Sequence, residues 1–152
     1  RISEILAQPD VAVLPITWTD KQSDTVCTAA DVVLVTSGTA TLEVALCKRP
    51  MVISYKISPL TYAYVKNKIK VPHVGLPNIL LGKAAVPELL QHDAVPEKLA
   101  QAVADWYDRP EAVAALEQDF HALHLLLKKD TAALAAAAVL EEAGFSDGLK
   151  DK

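Results

Sequence analysis

Two stretches of the chain are apolar without interruption and of strand length: Asp31–Thr36 (DVVLVT) and Met51–Tyr55 (MVISY). Short continuous runs rich in β-branched residues predict strands covered on both faces. Between them the period becomes helical. Leu42, Ala45 and Leu46 fall on one face, Lys48-Arg49 sit where cations suit a helix end, and Pro50 stops the element. The pattern is strand, helix, strand, with the length of a right-handed parallel crossover.

The remaining pattern places an earlier strand at Val11–Thr17 and helices at 1–8, 23–30 and 57–70. Pro72 and Pro77 break the stretch from Val71 to Leu81 into short strand and loop. Pro87, at the favoured first helical position, predicts a helix over Val86–Gln91. Pro96 and Pro110 open helices through Tyr107 and Lys129. Thr131–Ala143, nearly all Ala and Leu, reads as a packed helix ending at Gly144. The fold class is α/β: a partial Rossmann-like parallel sheet with helices on both faces and a helical tail over 96–144. One domain is expected over 1–144, with a flexible C-terminus over 145–152. Few strands are visible for such a sheet, and the chain opens on Arg1 without a Met, so further strands are expected upstream.

Composition supports this class. Hydrophobic residues make up 51% of the 152 and aromatics only 5%, which suits a core of Ala, Val, Leu and Ile better than a β-sandwich. Two cysteines form neither a disulfide framework nor a local metal motif, and a reducing cytoplasm is the expected setting. No stretch has the length of a membrane span. The net charge of −4 hides a segregation. Between Glu43 and Glu88 there is no acid, but there are seven cations: Lys48, Arg49, Lys56, Lys66, Lys68, Lys70 and Lys83. Such an imbalance suggests a face that meets an anion.

Four constellations could carry chemistry. Ser37-Gly38-Thr39 lies at a strand-to-helix turn, where glycine admits close approach and the first helical N–H groups favour phosphate. A capped helix start is the structural alternative. Glu43, about one turn on, can accept from ribose hydroxyls or simply complement the helix dipole. Leu76-Pro77-Asn78, followed by Pro87-Glu88-Leu89-Leu90-Gln91, offers a loop amide and then an acid and an amide on one helical face, a set suited to sugars. Tyrosines beside lysines over Pro59–Lys70 fit an anionic membrane surface or an ordinary amphipathic helix. His121 and His124 share a helix face without a third metal ligand, and His73 and His92 lie near the motif loops.

In that order and spacing, Ser37–Glu43, Lys48-Arg49-Pro50-Met51-Val52, Tyr55-Lys56, Leu76-Pro77-Asn78 and Pro87–Gln91 resemble the lipid-A-disaccharide synthase family, over about Thr25 to Gly144. The resemblance implies the C-terminal, nucleotide-sugar-binding domain of a two-domain GT-B type glycosyltransferase. It implies transfer of 2,3-diacylglucosamine from its UDP derivative to 2,3-diacylglucosamine 1-phosphate, with UDP released. It further implies partners that are a UDP-sugar and a lipid-linked sugar phosphate, a cytoplasmic location peripheral to the inner membrane, and neither cofactor nor metal. Ser37, Gly38 and Thr39 would line the diphosphate site, Glu43 or Glu88 would hold the ribose, and Asn78 and Gln91 would reach diphosphate or sugar. The catalytic base and the acceptor pocket belong to the family's N-terminal domain, so no catalytic residue is expected here. A bare sheet edge would invite homo-oligomers by edge pairing. The competing classes are another UDP-sugar glycosyltransferase or epimerase, and a non-catalytic phosphate- or lipid-binding module. Nucleic acid is disfavoured by the acidic chain and the lack of a recognisable module.

Overall fold

The computed structural model describes residues 2–65 and 72–144. The expectations for Lys66, Lys68 and Lys70, and for the 145–152 tail, lie outside these residues. The chain runs α1 (Ile2–Leu6), α2 (Pro9–Ala12), α3 (Ser23–Ala29), β1 (Val33–Thr36), α4 (Thr39–Leu46), β2 (Met51–Tyr55), α5 (Pro59–Val65), α6 (Leu76–Leu81), β3 (Glu88–Leu90), α7 (Pro96–Tyr107), α8 (Pro110–Leu127) and α9 (Thr131–Glu142). The three strands form one parallel sheet in the order β1-β2-β3, with Val33 paired to Met51 and Ile53 to Glu88.

β2 is the central strand. Met51, Val52 and Ile53 are each 0% exposed, and because successive side chains point to opposite faces, both faces are covered. Val44 and Ala45 of α4, Trp106 of α7, and Leu116 and Phe120 of α8 complete the core with Val86. The Trp106 indole N–H donates to the Met51 carbonyl at 3.2 Å, so its ring is buried with its one polar atom satisfied. The periods that predicted α3, α4, α7 and α8 match these elements to within a few residues. α7 and α8 each begin on a proline in the first turn.

Five expectations are corrected. Val11–Thr17 forms no strand. Part of it is α2, and Val13, Leu14 and Ile16 are exposed with no partner strand to reward pairing. β1 is covered on one face only, since Leu34 and Thr36 are exposed between half-buried Val33 and Val35. Leu76–Leu81 is helix rather than loop. Pro77 sits in the first turn, where its missing N–H costs nothing, and Gly82 ends the helix in the left-handed region at φ 66°. Residues 88–90 are strand rather than helix, because pairing along β2 outweighs the local proline signal. α9 has no buried residue among its twelve, so the Ala-rich tract is helical but not packed against the described core.

Candidate functional site

Parallel strands bring their carboxyl ends to one edge, and open α/β sheets bind ligands there. Here that edge presents Ser37 after β1, Lys56 after β2 and Gln91 after β3. Gly38, the N-cap of α4, has φ 141° and ψ −165°, a conformation that L side chains rarely adopt. No atom lies within 4 Å of where its Cβ would stand, so the approach to the helix start is open. Among the described residues, none accepts a hydrogen bond from the N–H of Thr39 or Ala40. An anion of phosphate size would find these donors and the positive end of the helix.

The turn is braced from behind. Ser37 Oγ donates to the Val74 carbonyl at 2.9 Å, so its hydroxyl proton faces the neighbouring loop. Thr41, 0% exposed, donates from Oγ1 to the Gly38 carbonyl at 2.7 Å and accepts from the Leu76 N–H at 3.3 Å. Glu88 Oε2 accepts from the Val74 N–H at 2.9 Å, and Oε1 accepts from the Gly75 N–H at 3.0 Å. The Asn78 amide donates to Glu88 Oε1 and to the Val86 carbonyl, both at 2.8 Å, and its oxygen accepts from the Val86 N–H at 2.9 Å.

This geometry revises three site expectations. Asn78 is 0% exposed, and its two donors and its oxygen are all engaged within the chain, where it fixes the connection from α6 to β3. Both oxygens of Glu88 are held by backbone N–H groups, which leaves Glu43 as the exposed acid. Glu88 and Gln91 do not share a helix face, because β3 is a strand. Gln91 instead adopts φ 51°, and its N–H donates to the Tyr55 carbonyl at 2.9 Å. With its amide oriented to satisfy both groups, it meets the N–H and carbonyl of Ile57 at 3.2 Å each, tying the loops after β2 and β3 together.

The described cations of the basic segment do not share a single face. Lys48 Nζ lies 2.6 Å from the Leu46 carbonyl and 2.6 Å from His124 Nδ1, which as the acceptor leaves the imidazole proton on Nε2. Arg49 donates to the Thr28 carbonyl at 2.6 Å, and Lys83 pairs with Asp119 at 2.7 Å. Lys48 and Arg49 precede β2 and so stand at the opposite edge of the sheet. Lys56 is the described cation of that segment at the carboxyl edge.

Among the described residues, two titratable groups are displaced. Burial, then the neighbouring Cys47, Glu43 and Asp24, push the Cys27 thiol above its ordinary range. A 2.6 Å hydrogen bond from Lys98 holds Asp93 below the usual carboxylate range. His121 and His124 gain no third ligand, and no group of three or more His, Cys, Asp or Glu among the described residues could hold a metal ion. A cleft of about 500 Å³ lies beyond Glu88, lined by His73, Asp105, Trp106 and Arg109, and does not include the Ser37–Thr39 turn. Sequence reasoning missed Thr41 and Gly75. A threonine on the buried face of a helix and a glycine just before Leu-Pro were the available signals.

A parallel sheet flanked by helices, with a glycine-opened helix start at its carboxyl edge, defines an α/β fold of the Rossmann-like type. More particularly, the chain belongs to the lipid-A-disaccharide synthetase family, a family of GT-B glycosyltransferases whose profile matches residues 2–142. It is 81% identical over 144 residues to the lipid-A-disaccharide synthase of Neisseria meningitidis serogroup A, covering 95% of this chain and 38% of that protein. It is 65% identical over 115 residues to the synthase of Chromobacterium violaceum, covering 76% of this chain and 30% of that protein. Against the synthase of Xanthomonas campestris it is 47% identical over 142 residues, covering 92% and 32%. The chain thus spans well under half the length of these relatives.

Proposed function

We propose that this chain supplies the nucleotide-sugar half of a hexosyltransferase that moves 2,3-diacylglucosamine from its UDP derivative to 2,3-diacylglucosamine 1-phosphate and releases UDP. The observation that carries this reading is the open start of α4 at the carboxyl edge of the sheet, in a chain of this family. The backbone N–H groups after Gly38, with the Thr39 hydroxyl, bind the diphosphate, and Ser37 holds the neighbouring 74–76 loop beside them. Their chemical contribution is to the leaving group: charge that develops on departing UDP meets fixed dipoles, which lowers the barrier without reorganisation. Glu43 takes the ribose hydroxyls, since it is exposed and the Glu88 carboxylate is engaged. Gln91 orders the loops against which the sugar lies, and Asn78 and Glu88 act through the backbone they hold. The general base and the acceptor site come from the part of the protein that this chain does not span. Acylated substrates require the protein to work at the inner-membrane surface from the cytoplasmic side. No helix among the described residues is long and apolar enough to cross a membrane; the contact proposed is peripheral, because the substrates carry acyl chains.

The test is calorimetric titration of UDP and of inorganic pyrophosphate into the full-length protein carrying this segment. Glu43→Ala is expected to weaken UDP about tenfold, the loss of a charge-assisted hydrogen bond, while leaving pyrophosphate unchanged. Equal affinity of Glu43→Ala for UDP would remove the ribose assignment. Absence of UDP binding in the parent would remove the site.

A further inference from the structure

The loop 74–76 and residues 37–41 are far apart in sequence, yet four hydrogen bonds fix the loop, two of them to those residues. Ser37 Oγ donates to the Val74 carbonyl, Glu88 accepts from the Val74 and Gly75 N–H groups, and Thr41 Oγ1 accepts from the Leu76 N–H. Thr41 does more than anchor the loop. Its single hydroxyl donates to the carbonyl of Gly38, the residue whose conformation opens the helix start. The same oxygen accepts from Leu76, so one atom is bonded both to Gly38 and to the loop. Thr41 is 0% exposed, and its β-branched side chain is stiff at χ1, which fixes that atom in place. Gly75 is required for the loop to lie this close: a Cβ there would overlap Ile53 Cδ1 and stand 3.2 Å from Glu88 Oε1.

We infer that Thr41 and Glu88 are positioning residues for the diphosphate, Thr41 by coupling the 74–76 loop to the Gly38 turn and Glu88 by holding that loop in register. Neither touches the ligand. This rests on the proposed diphosphate site and adds how its geometry is kept. A hydroxyl that donates to one segment and accepts from the other transmits a displacement of either to both. Glu88 supplies the acceptors for two consecutive N–H groups, which a neutral side chain of the same shape provides only in part.

The variants are Thr41→Val, which keeps the volume and removes both hydrogen bonds, and Thr41→Ser, which keeps the hydroxyl. Glu88→Gln keeps the shape and exchanges one acceptor for a donor. In the full-length protein, Thr41→Val is expected to raise the Kd for UDP and the KM for the nucleotide sugar about tenfold, with Thr41→Ser restoring most of the loss. Glu88→Gln is expected to act in the same direction. Without ligand, hydrogen exchange is expected to accelerate together at residues 38–41 and 74–76 in Thr41→Val, and to be restored in Thr41→Ser. Unchanged UDP affinity in a Thr41→Val protein whose thermal midpoint has fallen would make Thr41 merely structural and overturn the inference. Exchange that accelerates in one segment alone would overturn the coupling. If the parent protein failed to bind UDP, the diphosphate reading would fall, and with it this inference; binding in the parent with no change in Thr41→Val would sink the inference alone.

Discussion

At the scale of single residues, the candidate site depends on polar atoms that are almost all accounted for. Asn78 illustrates the cost of breaking that account. Its amide pairs with both backbone groups of Val86 and with Glu88, and truncation would strand three partners, two of them on the backbone. Asn78→Ala is expected to lower stability by about 3 kcal/mol, measured by chemical denaturation. Gly75→Ala is expected to cost about 1–3 kcal/mol through overlap with Ile53 Cδ1. Ile53→Val removes that carbon, so the double variant should recover part of the loss, a coupling that a mutant cycle reads directly. Cys27 is the residue whose behaviour follows pH. Its thiol is raised by burial and by neighbouring acids, so the folded chain holds the proton more tightly than the unfolded one. The stability it contributes is therefore present below the ordinary thiol range and lost as pH rises through the raised value. Alkylation of Cys27 is expected to be slower than that of an unstructured cysteine at pH 8 and to accelerate only at higher pH, as followed by mass spectrometry of the modified peptide.

At the scale of elements, prolines and glycines mattered less for what they forbid than for where the neighbours let them sit. Pro77 and Pro87 look alike in sequence, each within an apolar run. Pro77 enters the first turn of α6 and Pro87 leads into β3, because the second run can pair along β2 and the first cannot. α9 shows local propensity without tertiary support. Asp130 caps it by accepting from the Ala133 N–H at 3.0 Å, yet none of its residues is buried. A twelve-residue helix on its own is marginal in water. Asp130→Ala is expected to reduce helical content by circular dichroism and to leave the unfolding midpoint of the core unchanged. An equal fall in both would mean that α9 is packed in solution.

At the scale of the whole molecule, charge and exposed apolar surface decide behaviour. The described cations of the middle segment are dispersed: Lys48 and Arg49 brace the edge of the sheet opposite the candidate site, Lys83 meets α8 through Asp119, and Lys56 remains near the candidate site. Leu34 is exposed on β1, an edge strand of the sheet, and Val13, Leu14 and Trp18 are exposed as well. We expect the 152-residue chain to associate with concentration in light scattering, and to show no transferase turnover alone, since the chain spans 38% of its Neisseria meningitidis relative.

The sequence alone determined the class of fold and the location of the glycine turn that opens α4. Hydrophobic period and a glycine between two hydroxyl residues are local signals, and both β2 and the start of α4 are local consequences. It did not determine which polar residues face a ligand and which serve the scaffold. That choice was made when β3 paired with β2 and brought Glu88 beneath Val74 and Gly75, because a carboxylate's role is set by the donors that reach it, and those donors come from chain fourteen and thirteen residues away.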